Sequence, residues 1–299
     1  MMDLLPGSDL AIGGLMFRHV PELDVVGPGR WRFSVGGDPL LWADVRLEQG
    51  WLRFRVALGE GRPRQLDVPM IERMLACNAT LQGGAKFGLA GDANQPVLGA
   101  ELSPTDESAD WEARAGRTYR GLRQGVAAFE GKSPCGPHDA SPGTATAGAI
   151  DVPALCREAG WPFHERSDGQ VAVPLEVPDM YLQAAIRPWD HGLLCVEAPL
   201  ESLPHAAGGC RAAVGVLLLT ACGAVRMVRA TARPGETEVE YAWQAVVDPV
   251  AEELRHALAA ISVACRLSAR EVEALRDQTI AAKYLAVRGW SSLASNGVS

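Results

Sequence analysis

The sequence predicts an α+β protein of two tandem modules, each an antiparallel sheet packed with helices. Three observations predict it. Two stretches of alternating apolar and polar residues fold back about a turn, Leu40–Leu58 and Leu182–Leu200. Matching segments recur about 141 positions apart, as Ala43 and Arg46 do in Ala184 and Arg187. An amphipathic helical stretch then closes each half.

The first hairpin has Ala43, Val45 and Leu47 alternating with Asp44, Arg46 and Glu48 up to a turn at Gln49-Gly50. Leu52, Phe54, Val56 and Leu58 then alternate with Arg53 and Arg55. Period-two alternation marks a sheet with one buried face. The second hairpin turns at Asp190-His191-Gly192. Met74–Ala90 and Leu217–Ala232 each read as a helix, a break of small residues and a strand. Pro96–Leu102 and Thr237–Trp243 supply the next strand of each half. Trp111, Ala115, Tyr119, Leu122, Val126 and Phe129 recur at helical spacing, as do Val250, Leu254, Ala257, Leu258, Ile261 and Cys265. Ser268-Ala269-Arg270-Glu271 fits a capping box that opens an added helix to about Val287. The expected organisation is a first module over 1–130, a flexible linker over 131–149, a second module with its added helix over 150–290, and a frayed tail over 291–299. The linker follows from a stretch of Pro, Gly, Ser, Thr and Ala without large apolar side chains to offset the entropy of ordering it.

Composition narrows the function. A net charge of −8 argues against nucleic acid or an anionic membrane as the main partner, since both require a basic surface. The first residues lack a basic leader region, and the most apolar run, Ala212–Cys222, is too short to span a bilayer. Seven cysteines without paired spacing read as reduced thiols in a cytoplasmic protein.

Each half reads as helix, three strands, helix, two strands, helix, with the second half opening on a helix over 153–160 and a strand over 171–177. Through this order, and through WADVRLEQGWLRFRVAL and the LLLTACGAVRMVRATA–EVEYAW–VAEELRHALAAI succession, the chain resembles the type III secretion chaperone-like superfamily, which includes YbjN-type proteins. The resemblance implies compact modules that bind another polypeptide without chemistry. Typical secretion chaperones are single modules that dimerise; here two modules on one chain imply an intramolecular pseudo-dimer, monomeric or weakly self-associating.

No catalytic, cofactor or metal signature stands out. Gly36-Gly37, Gly83-Gly84 and Gly208-Gly209 read as turn residues. Cys135 and His138, His191 and Cys195, His205 and Cys210 read as isolated pairs and not as a metal set, and Cys156 with His164 as a buried thiol near a histidine. The chain is therefore read as a non-enzyme needing no cofactor. The alternatives are an enzyme with a pocket of dispersed residues and a structural subunit acting through its C-terminal helix. The residues singled out are Trp42, Arg46, Trp51, Arg53 and Arg55 on the polar face of the first hairpin, with Arg187 and Trp189 at the related place in the second. Tryptophan and arginine are enriched in interface hot spots. The face is expected either to contact the sister module or to hold a protein partner.

Overall fold

The structure, a computed structural model of the chain, describes residues 20, 22–59, 66–90, 95–102, 111–132, 150–167, 170–178, 180–290 and 293. The expected opening helix of the first half, most of the linker and most of the tail lie outside the described residues. The chain divides into two compact units, Met1–Arg64 with Leu81–Cys135, and Gln65–Thr80 with Gly136–Ser299. The stretch 65–80, expected within the first module, thus groups with the second unit.

In the first unit, strands β1 (Leu23–Gly27), β2 (Arg30–Gly36), β3 (Leu41–Glu48) and β4 (Trp51–Ala57) form a meander. The chain leaves for helix α1 (Val68–Asn78) in the second unit and returns as β5 (Lys86–Ala90), β6 (Gln95–Leu102) and helix α2 (Trp111–Phe129). The sheet order is β1-β2-β3-β4-β6-β5, antiparallel throughout. Alternation is strict where it matters: Trp31, Phe33, Val35, Ala43, Val45, Leu52, Phe54 and Val56 are buried, and the residues between them are not. Helix α2 packs on the sheet through β2 and β6, with Tyr119 edge-on to Phe33 at 5.7 Å and Phe129 against Phe87 at 6.3 Å. The buried Phe33, Phe87 and Phe129 each contribute roughly 1.5–3 kcal/mol by leaving water. Gly121 lets α2 approach closely, because a Cβ there would overlap the Gln82 carbonyl oxygen. The turn between β3 and β4 has φ of 53° at Gln49 and 77° at Gly50, the twist that suits a two-residue hairpin.

The second unit repeats that connectivity. Helix α3 (Val152–Ala159) is capped by the Asp151 carboxylate, which accepts from the Ala154 amide, and is closed by Gly160 in the left-handed region. Strands β7 (His164–Glu165), β8 (Val171–Val177), β9 (Met180–Trp189) and β10 (Leu193–Pro204) follow. Then come helix α4 (Gly208–Ala224), β11 (Arg229–Pro234), β12 (Glu238–Val247), α5 (Ala251–Ala274) and α6 (Gln278–Val287). The order β7-β8-β9-β10-β12-β11 matches the first sheet strand for strand. Both sequence-matched hairpins are the third and fourth strands of their sheets.

Helix α5 covers one face, where buried Trp243 donates its indole N–H to Ser268 Oγ at 2.9 Å. Helix α4 is apolar all round, a pattern that requires burial on several sides; α1, α5 and α6 supply it. Helix α1 is fixed there by its Asn78 amide, which donates to the Ala230 carbonyl at 2.9 Å, and by an ion pair of Glu72 with Arg211 at 3.1 Å.

Three expectations are revised. Four strands, not three, precede the middle helix of each half of the sequence, because short edge strands β1 and β7 are added. The capping box at Ser268 does not open a helix: Ser268 lies inside α5, fully buried, with its hydroxyl donating to the Ala264 carbonyl four residues back. The break falls at Leu275–Asp277, and Asp277 caps α6 by accepting from the Thr279 and Ile280 amides. Finally, Cys77 on α1 is disulfide-bonded, so the cysteines are not all reduced. Cys156, Cys195, Cys210, Cys222 and Cys265 are buried thiols.

Candidate functional site

The side of the first sheet facing away from α2 gathers every first-half residue singled out from sequence. Strands β2, β3 and β4 place Arg30, Arg32, Trp42, Asp44, Arg46, Glu48, Trp51, Arg53 and Arg55 on one face. The two-residue turn sets the register: Glu48 lies opposite Trp51, Arg46 opposite Arg53, and Asp44 opposite Arg55. On the other side of β3, Arg30 lies opposite Arg46 and Arg32 opposite Asp44. Arg30, Arg46 and Arg53 therefore form one row across three strands. Like charges directly opposite destabilise a sheet.

Three carboxylates on or beside this face are engaged, while Asp24 on β1, opposite Arg32, is exposed. Asp44 pairs with Arg32 at 3.0 Å and Glu48 lies 3.7 Å from Arg53. Glu101, opposite Arg53, forms a buried pair with Lys86 at 3.0 Å. Among the described residues, Arg30, Arg46 and Arg55 make no ion pair, and all are exposed. The tryptophans do not stand together. Trp42 and Trp51 lie at opposite ends of the face, about 20 Å apart along the strand direction. Trp42 is 36% exposed and Trp51 half-buried, with the arginines between them.

The related face of the second unit has a different character. Arg187 stacks on the Trp189 ring at 4.5 Å and reaches Glu197 at 3.3 Å. Glu197 also lies 3.6 Å from Arg233, which approaches Glu240 at 3.9 Å. Glu197, Arg233 and Glu240 border a cavity of about 310 Å³ with Thr231 and Ser202. Beside them Arg229 is fully buried, donates to Gln244 Oε1 at 3.0 Å, and is pushed down to about 10 by loss of water. It stays charged at neutral pH. Glu197 is thus shared between Arg187 and Arg233, and Arg187 and Trp189 are already engaged with each other.

The remaining candidates have structural roles. Burial pushes the thiols of Cys156 and Cys195 up to about 11, the reverse of an activated nucleophile. Cys210 donates to the Arg276 carbonyl, and His205 contacts the Gly235 carbonyl. Among the described residues, no group of three or more His, Cys, Asp or Glu side chains is placed to hold a metal ion. Cys135 and His138 lie outside the described residues. Sequence reasoning missed Arg30 and Arg32, although their alternation with Trp31, Phe33 and Val35 carried the signal.

Fold and site together define an α+β protein of two like-connected six-stranded units, one of them bearing a cationic, tryptophan-flanked sheet face. No family model, curated protein or solved structure matches the chain. Among the described residues, no helix is long and apolar enough to cross a membrane.

Proposed function

We propose that this chain is a non-enzymatic, chaperone-like or regulatory protein that binds another polypeptide through the outer face of its first sheet. The observation that carries the reading is the set of exposed arginines, Arg30, Arg46 and Arg55, lacking carboxylate partners among the described residues on a face that also exposes Trp42. The core needs none of them, because Trp31, Val45 and Phe54 on the same strands already fill it. The sequence resemblance to type III secretion chaperone-like proteins, in the stretches around 42–58 and 217–262, points the same way. A cytoplasmic setting suits the five buried thiols, and the Cys77 disulfide is the feature that runs against it.

A photo-crosslinking residue at position 42, expressed in the native cells, tests the proposal. Covalent polypeptide adducts are expected from position 42 and not from position 287, which is 87% exposed on α6. Adducts from position 287 alone would move the partner surface to the C-terminal helix. Absence of adducts from both would remove the binding reading.

A further inference from the structure

The outer face of the first sheet also specifies what kind of segment fits it. Resting on the polypeptide-binding reading above, we propose that it holds an extended acidic segment laid along β3 and β4. Acidic side chains at two successive alternate positions meet Arg46, with Arg30 beside it on β2, at one level and Arg55 at the next, and apolar side chains meet Trp42 at one end and Trp51 at the other.

Spacing, charge and length support this occupant. Residues two apart on a strand project from the same face roughly 6.8 Å apart, as Trp51, Arg53 and Arg55 do. Alternate side chains of a second extended chain have the same repeat, so carboxylates at every other position match such a row. The roughly 20 Å between Trp42 and Trp51 corresponds to about six or seven extended residues. Arg32 and Arg53 pair with acids within the face, whereas Arg30, Arg46 and Arg55 make no ion pair among the described residues. On the related face of the second unit, by contrast, Arg187 and Arg233 both pair with Glu197.

A nucleic-acid strand fits less well. Asp44 and Glu48 stand among the arginines and would face its phosphates, whereas a peptide can place a neutral side chain over each. A chain of net charge −8 also repels a polyphosphate more strongly than a short peptide. The row Arg30–Arg46–Arg53 sets like charges directly opposite one another, an arrangement that works against folding and is relieved when anions bind over it.

The test uses the full chain and a fluorescent peptide that alternates glutamate with valine and carries leucine at both ends. Its controls are the same peptide with glutamine for glutamate and a single-stranded oligothymidylate. The glutamate peptide should bind, and binding should weaken as salt shortens the screening length from about 10 Å to about 3 Å. The glutamine analogue should bind at least about tenfold more weakly, since each exposed pair contributes roughly two- to fivefold and three act together. A variant with Arg30→Gln, Arg46→Gln and Arg55→Gln should lose the same factor while melting at the parent's temperature or higher, because opposed like charges have been removed. A structural role would instead lower its melting temperature, which would overturn the inference. Equal binding of the two peptides would also overturn it while leaving the polypeptide-binding reading intact. So would tighter binding of the oligothymidylate through the same arginines. If neither peptide binds, the acidic-segment inference falls, and the crosslinking at position 42 separately decides the broader reading.

Discussion

Substituting Gly215 with alanine probes how closely α1 packs on α4. Gly215 lies inside α4, and a Cβ there would overlap Ile71 Cγ2 of α1. Helix propensity alone favours alanine by about 1 kcal/mol. Ile71 is fully buried, and overpacking of a filled core typically costs about 1–3 kcal/mol. The expected net effect is a loss of up to about 2 kcal/mol. At Gly209 in the same helix an added Cβ would meet nothing within 4 Å, so Gly209→Ala should be neutral or stabilising. Ile71→Ala should cost about 2–5 kcal/mol by leaving a cavity. Part of that cavity accepts the methyl group added at position 215, so the double variant should be less destabilised than the sum by at least about 1 kcal/mol. Urea unfolding of the parent and these variants gives the values from midpoints at constant slope. Gly215→Ala as stable as Gly209→Ala, or single effects that add within about 0.5 kcal/mol, would refute this packing.

Other outcomes follow from buried polar groups and cysteines. Burial raises Cys195 from an ordinary 9.0 to about 11 and Cys265 to about 12, so the folded state holds protons that the unfolded chain releases. Their contribution to stability is complete below pH 9.0 and is lost as pH rises toward 11 and 12. Chemical denaturation at a series of alkaline pH values should show that decline, and flat stability across this window would count against burial of these thiols. Ser268→Ala leaves the buried Trp243 N–H without its acceptor and should cost about 1–3 kcal/mol, whereas a neutral result would contradict the bond. Mass spectrometry after alkylation of the denatured, unreduced chain should find Cys77 unmodified until reductant is added; immediate modification would contradict its disulfide.

Much of the fold was legible because certain segments obey one rule without exception. Residues 41–57 alternate strictly, and the two-residue turn at Gln49-Gly50 fixes their register, so the opposition of Arg46 and Arg53 follows from sequence alone. Residues 111–129 keep a clean helical stripe. Strands β1 and β7 were not legible in this way. The first exposes Val25 and Val26 and buries little, and the second has two residues. Ser268 misled because a capping pattern describes local hydrogen bonds, whereas the indole of Trp243, 25 residues away, holds the serine inside a continuous helix. Helix α1 advertises an apolar face through Ile71, Met74 and Leu75, but nothing in that spacing names the surface it meets. For the site, sequence grouped the tryptophans and arginines correctly by face. The same register already puts Trp42 and Trp51 at opposite ends, but sequence did not reveal that Arg187 and Trp189 are occupied with each other and with Glu197.

The most direct test of the binding face compares stability and partner contact in a single variant. Ser34 lies opposite Trp42 on the neighbouring strand, so a crosslinking residue at position 34 reports on the same patch. Trp42→Ala in that background should cost about 1–2 kcal/mol, as loss of a partly covered side chain does, and should abolish the polypeptide adduct. A loss of about 3–5 kcal/mol with the adduct retained would show that Trp42 is part of a packed interior, and would contradict the account.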